Sequence, residues 1–227
     1  MSAIKFLINA YEASGKTTLS SQIKDALILN LDEKPYGIKG IKAIATLKDY
    51  TGMEDFIKFV SDKITAYKEK FGNFPKFIVF DTITRLYYSM LTFNQKKYQG
   101  FTTHSKNLEE PQTLNKYIND VLLANGVSVI LVAHTQLDKE TNRTVIPAQG
   151  QFEKVGSWHS LVNEAIFIEK QGGKRKVFIK SEKYPARTTN TEYLNEKEVS
   201  FNMEEFDIND YLNKLLEEQS SSEEAEL

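Results

Sequence analysis

Ile4-Lys5-Phe6-Leu7-Ile8-Asn9-Ala10-Tyr11-Glu12-Ala13-Ser14-Gly15-Lys16-Thr17-Thr18-Leu19-Ser20 is the stretch that decides the fold. An apolar strand runs into a loop of small residues, and Gly15-Lys16-Thr17 then opens a helix. The pattern G-x-x-x-x-G-K-S/T has a known mechanism. Successive backbone N–H groups curl round a polyphosphate, the lysine reaches the β and γ phosphates, and the hydroxyl binds Mg²⁺. Lys16 and Thr17 fit the last two roles, and residues 10–18 form the candidate nucleotide cradle. Ala10 stands where the pattern has its first glycine, so the loop must begin without the residue that most easily takes a positive φ.

Working outward, three further apolar runs end in polar side chains. Residues 26–32, Ala26-Leu27-Ile28-Leu29-Asn30-Leu31-Asp32, read as a buried strand because the run is short and apolar throughout. Asp32 and Glu33 then sit at a strand's carboxyl end, where ligands bind in a doubly wound sheet. Lys76-Phe77-Ile78-Val79-Phe80-Asp81 has the form of a strand whose terminal carboxylate holds Mg²⁺ beside the phosphates, which assigns that role to Asp81. Residues 127–136 end in His134, Thr135 and Gln136, from which the state of a γ-phosphate could be sensed and passed to the next segment.

The remaining chain supplies the flanking layers. Helices are expected over residues 16–26, over 52–70 with Phe56, Ile57, Phe59, Val60, Ile64 and Tyr67 at helical spacing, and over 82–93, 111–123 and 204–216. Residues 41–46 suggest a short strand, and residues 163–169 and 176–180 a hairpin turning at Gly172-Gly173. Residues 94–111 read as a long polar loop in which Lys96, Lys97, Tyr98, Phe101 and His104 combine charge with stacking surfaces suited to single-stranded nucleic acid. A second polar stretch, residues 137–160, carries Lys139, Arg143, Lys154 and the single tryptophan, Trp158. Both stretches are also compatible with plain solvated loops.

Composition narrows the class. With 227 residues, 41% hydrophobic content and 11% aromatics, the chain can bury a proper core, which excludes a disordered protein. No cysteine is present, so disulfides, thiolate metal sites and cysteine nucleophiles are excluded. No apolar run approaches a membrane span, and the opening residues lead straight into a core strand, so a cytoplasmic protein without a signal peptide is expected. The net charge of −2 conceals an uneven distribution. Residues 170–187 hold Lys170, Lys174, Arg175, Lys176, Lys180, Lys183 and Arg187 against Glu182 alone. Residues 217–227 hold five glutamates and no basic side chain, and are expected to form a disordered acidic tail on a single domain of residues 1–216.

Taken together, these residues and their order resemble a RecA-type P-loop ATPase core over about residues 1–190, most of all the short phage nucleotide-binding proteins that act as core-only recombinases or strand-annealing factors. That resemblance implies an α/β fold with a mainly parallel central sheet, flanking helices and an antiparallel hairpin at one edge. It implies ATP and Mg²⁺ as cofactors, and a DNA-stimulated ATPase in which Asp32 or Glu33 orients the attacking water. By the same resemblance the two polar stretches correspond to DNA-binding loops lining a filament axis, while Lys180, Lys183 and Arg187 match positions that reach a neighbouring subunit's nucleotide. The implied partners are single-stranded DNA, further copies of the chain in a ring or filament, and a single-strand-binding protein, in the host cytoplasm if the protein is phage-encoded. Two other classes stay open: a nucleotide-gated interaction protein with little hydrolysis, and a small-molecule P-loop kinase. The scattered Arg85, Arg143, Arg175 and Arg187 give little support to a kinase lid.

Overall fold

Strands that are apolar along their whole length must be covered on both faces, which parallel sheets achieve with crossover helices. The computed structural model describes residues 2–32, 38, 41 and 43–223. Its strands are β1 (Lys5–Ala10), β2 (Ala26–Asn30), β3 (Ile44–Thr46), β4 (Phe77–Asp81), β5 (Ser128–His134), β6 (Gln136–Asp138), β7 (Arg143–Val145), β8 (Glu164–Gln171), β9 (Lys174–Lys180) and β10 (Val199–Asn202). Eight of them form one sheet in the order β10-β9-β8-β1-β5-β4-β2-β3, while β6 and β7 pair separately. From β8 to β3 every pairing is parallel, and β9 and β10 add the antiparallel edge. This is the α/β P-loop architecture the sequence predicts.

The helices are α1 (Lys16–Ser20), α2 (Met53–Phe71), α3 (Ile83–Lys97), α4 (Phe101–Tyr117), α5 (Gly150–Lys154) and α6 (Ile208–Glu223). Side chains alternate between the faces of the sheet, as the strand period of two requires. Leu7, Ile78, Phe80, Val129 and Leu131 face the cluster that takes in Phe56, Val60, Leu86, Tyr87 and Leu114 of α2, α3 and α4. Phe6, Ile8, Val79, Ile130 and Val132 face Leu19 of α1 and Ile208, Tyr211, Leu212 and Leu215 of α6. The result is three layers. Among the described residues no helix is long and apolar enough to cross a membrane.

Several expectations are corrected. The first helix stops at Ser20 instead of running to residue 26. Beyond it the Asn209 side chain receives the Lys24 N–H at 2.8 Å and donates to the Gln22 carbonyl at 3.0 Å, holding a turn that delivers the chain into β2. Residues 94–111 are not a loop: α3 continues to Lys97, and α4 starts at Phe101 after a tight connection in which Gly100 has φ 58°. A buried polar clamp explains this, since Asn94 Nδ2 donates to Glu110 Oε2 at 2.9 Å and to Asn107 Oδ1 at 3.1 Å across the two helices. Burial holds the Glu110 carboxyl above its usual range. Pro111 sits inside α4 rather than starting a helix there; it is buried beside Leu114, so packing offsets the lost backbone hydrogen bond.

Residues 137–160 are likewise ordered, as the β6–β7 hairpin and α5. The sequence gives no sign of β10, whose four residues alternate between partly buried and exposed. The expected tail is also structured at its start, because α6 runs on to Glu223. Glu218 accepts from the Thr191 N–H and from Thr191 Oγ1, the latter at 2.7 Å, which ties the end of this helix to the body. Glu224 and Glu226 lie outside the described residues.

Trp158 is the largest fully buried side chain, packed edge-on against Phe152 at 5.0 Å and Tyr87 at 6.4 Å. It is a core residue, and its ring cannot stack on a nucleic acid in this fold. Trp158→Ala should destabilise the protein by about 3–5 kcal/mol, read as a lower urea midpoint. A loss below about 1 kcal/mol would contradict this packing.

Candidate functional site

The parallel register brings the carboxyl ends of the central strands to within two residues of one another. Ala10 pairs with His134 on one side of β1 and with Ile168 on the other. Asp81 pairs with Val132 on one side of β4 and with Asn30 on the other. The segments leaving these strands therefore share one rim, where open α/β sheets bind their ligands. Backbone and side-chain bonds fix it. Thr135 N–H donates to the Ala10 carbonyl at 2.9 Å, Leu31 N–H to the Asp81 carbonyl at 2.6 Å, and His134 N–H to Thr84 Oγ1 at 2.9 Å. Thr82 caps α3 by accepting from the Arg85 N–H.

Ala10 is still the last strand residue and is buried, so it has no need of a positive φ. The chain bends later, at Ala13 with φ 55° and at Gly15 with φ 103°. Left-handed residues set among right-handed ones turn successive N–H groups inward, the backbone arrangement that receives anions. Lys16 follows directly. Its buried ammonium donates to the carbonyls of Ala10 at 3.1 Å and Tyr11 at 2.8 Å, spanning the loop it belongs to. Burial lowers its pKa to about 8, while the Asp81, Glu12 and Asp32 carboxylates oppose the shift.

Asp81 is buried at the end of β4, and Thr17 is half-buried at the start of α1. One hydroxyl and one carboxylate are hard oxygen donors of the kind Mg²⁺ accepts when phosphates and waters complete its shell. Among the described residues no group of three or more His, Asp or Glu side chains is placed to hold a metal ion. Asp32 lies beside Asn30, whose Oδ1 accepts from the Asp32 N–H at 3.3 Å. Glu33 lies outside the described residues. Gln136 is exposed at the start of β6.

The expected nucleic-acid residues are dispersed. Lys96, Lys97, Tyr98 and Phe101 lie at the α3–α4 junction, where Phe101 is 85% exposed and Lys97 Nζ stands 5.5 Å over the Tyr98 ring. Lys139 and Arg143 are exposed on the β6–β7 hairpin, and Lys154 is exposed in α5. The residues expected to reach a neighbour are held within their own chain. Lys180 Nζ donates to the carbonyls of Tyr193 at 3.0 Å and Leu194 at 2.5 Å, and the Arg187 guanidinium donates to those of His159 and Val162. Lys183 Nζ sits 4.6 Å over the Tyr184 ring.

Two contacts escaped sequence reasoning. Tyr11 OH, inside the phosphate loop, is 2.8 Å from Thr144 Oγ1 on β7, joining the loop to the hairpin. Arg175 lies across Gly15: a β-carbon placed there would stand 3.2 Å from Arg175 Cδ and 3.3 Å from its Nε. The signal for Arg175 was its place beside the Gly172-Gly173 turn, though its neighbours Lys174 and Lys176 are equally basic and nothing local distinguishes them.

The model of a protein family described as "AAA domain" matches residues 2–192. No curated protein sequence matches the chain.

The Lys16 pKa generates a pH dependence. Anionic phosphate favours the ammonium form, so affinity is full below about pH 8 and is lost as pH rises through the pKa of the free protein. ATP affinity should be level from about pH 7 to 8 and then weaken by up to about tenfold per pH unit. Titration of binding in Lys16→Ala should show no such slope; an identical slope in that variant would remove Lys16 as its source.

Proposed function

The chain belongs to the AAA-domain family of P-loop nucleotide-binding ATPases, and on that premise we propose that it is a Mg²⁺-dependent ATPase that binds single-stranded DNA and works as a homo-oligomer in phage-type recombination or strand annealing. The observation that carries the ATPase reading is the parallel register of β1, β5, β4 and β2, whose carboxyl ends fall within two residues of one another, so that Lys16, His134, Asp81 and Asp32 belong to or follow strand ends at one edge of the sheet.

Hydrolysis of a nucleotide asks a protein to hold phosphates, place a metal, aim water and neutralise developing charge. The amides of residues 13–17 and the Lys16 ammonium bind the phosphates. Thr17 Oγ1 and the Asp81 carboxylate are the groups that would hold Mg²⁺, which, when bound, neutralises charge on the phosphate oxygens. Asp32 orients water as general base, with Glu33 as the alternative. His134 and Gln136 sense the phosphate end and lead directly into the β6–β7 hairpin. The DNA reading is supported by where that hairpin lies: Thr144 on it touches Tyr11 of the phosphate loop, and it presents Lys139 and Arg143, though beside Asp138 and Glu140. Nucleotide state and DNA contact are thereby joined by one hydrogen bond. At the α3–α4 junction, Phe101 and Tyr98 offer ring faces beside Lys96 and Lys97, the combination that stacks bases while tracking a phosphate backbone.

Steady-state ATP turnover with and without single-stranded DNA tests both parts. Lys16→Ala and Asp81→Ala should each lower turnover by about 100-fold or more, and DNA should raise wild-type turnover in a manner that fades with salt. Unchanged turnover in folded Lys16→Ala protein would reject the site. Turnover that DNA neither stimulates nor inhibits, in a protein that binds no DNA at low salt, would reject the recombination reading and favour a kinase or nucleotide-gated interaction protein.

A further inference from the structure

The phosphate loop is poor in positive charge for the ligand it would hold. Lys16 is its one basic side chain, and three carboxylates, from Asp81, Glu12 and Asp32, lie near enough to act on that ammonium. A nucleoside triphosphate brings several further negative charges, and beyond the loop amides and a phosphate-borne Mg²⁺ a second basic side chain at the loop would add to its hold on them.

The hairpin supplies one. β8 runs parallel to β1 with Ile168 level with Ala10, so its last residues and the Gly172-Gly173 turn project past the end of β1, over the start of the loop. Arg175 comes back on β9 opposite Lys170. Its backbone carbonyl accepts from the Met203 N–H at 3.0 Å, which secures the strand there against the last residues of the sheet edge. Its side chain then lies on Gly15, with Cδ and Nε at 3.2 and 3.3 Å from where a β-carbon would be and Met203 Cε at 3.2 Å from the same point. Only glycine allows this approach at φ 103°. Nε is buried and has no hydrogen-bond partner among the described residues. The guanidinium extends beyond Nε from a position next to the residue that precedes Lys16.

We propose that Arg175 is a same-chain phosphate-contacting residue: brought over Gly15 by the β8–β9 hairpin, its guanidinium donates to the phosphate tail of the nucleotide that Lys16 binds. A guanidinium keeps its charge at any physiological pH, is weakly hydrated and matches phosphate oxygens in pairs, which suits a partly buried anion contact better than a second lysine. The contact belongs to each chain alone. It differs in this from the neighbour-reaching roles considered for Lys180, Lys183 and Arg187, whose polar groups are taken up by carbonyls or a ring of their own chain. The proposal rests on the reading of residues 10–17 as a nucleotide site.

Equilibrium binding of ADP and of a non-hydrolysable ATP analogue to the full-length protein, without DNA, tests it by calorimetry. Arg175→Met keeps an apolar stem over Gly15 and Met203 and removes the guanidinium; Arg175→Gln does so with a polar end, and serves if the methionine variant folds poorly. Either should weaken the ATP analogue by about tenfold without lowering the melting temperature of the nucleotide-free protein. The loss should be the same at dilute and concentrated protein, as a same-chain contact requires. Wild-type affinity in a folded Arg175 variant, with binding lost in Lys16→Ala, would overturn the role of Arg175 and leave the site standing. A loss that appears only at concentrations where the protein self-associates would overturn the same-chain assignment. Equal binding by wild type and Lys16→Ala, or no binding by either, would overturn the nucleotide site and this proposal with it.

Discussion

Strand register is the constraint on which the rest of this molecule depends. β1, β5, β4 and β2 are hydrogen-bonded neighbours whose ends lie within two residues of one another, Ala10 level with His134 and Asp81 level with Val132 and Asn30, so the loop after β1, the polar end of β5, Asp81 and the turn after β2 leave the same edge of the sheet. A slip of one residue in any pairing would exchange the two faces of that strand, exposing Leu7 or Phe6, Ile78 or Val79, to the wrong helical layer. The packing that keeps α2, α3 and α4 on one face and α1 and α6 on the other is thus the same packing that aligns the rim.

The electrostatics of the rim follow from its burial. Lys16 is a charged group in a site that disfavours charge, and its ammonium is held by two loop carbonyls and by surrounding carboxylates. Carboxylates that offset the burial of a lysine also repel a phosphate, so these groups suit a ligand accompanied by a divalent cation. The Tyr11–Thr144 contact links that chemistry outward to a hairpin with exposed basic side chains. One loop thereby touches both the rim and a hairpin that carries Lys139 and Arg143 together with Asp138 and Glu140.

The sequence was most informative where structure is locally determined. The strand–loop–helix of residues 4–20 and the strand ending at Asp81 are legible because their apolar runs, small residues and terminal acid carry the meaning themselves. It was least informative where order comes from distant partners. Nothing near Asn94 announces Glu110, yet that buried pair converts an expected loop into two packed helices. Trp158 lies among polar residues with no period to reveal that Tyr87 and Phe152 enclose it. The glutamates after residue 216 predict disorder by composition, but Leu212 and Leu215 anchor the helix that carries the first of them, and Glu218 finds Thr191. Arg175 belongs with these cases: its neighbours match it in charge, and only the three-dimensional path of the hairpin sets it against Gly15.

The central claim is that the loop of residues 13–18, at the carboxyl rim of the sheet, is where the ligand sits. Amide hydrogen exchange, followed residue by residue with and without Mg·ADP, tests it most directly, because a polyphosphate received by backbone N–H groups must slow their exchange. The account predicts protection concentrated at residues 13–18, with a smaller effect reaching Thr144 through Tyr11. Protection centred instead on the cleft at the opposite ends of β1 and β8, lined by Lys5, Asn119, Glu164 and Thr191, with residues 13–18 unchanged, would contradict it.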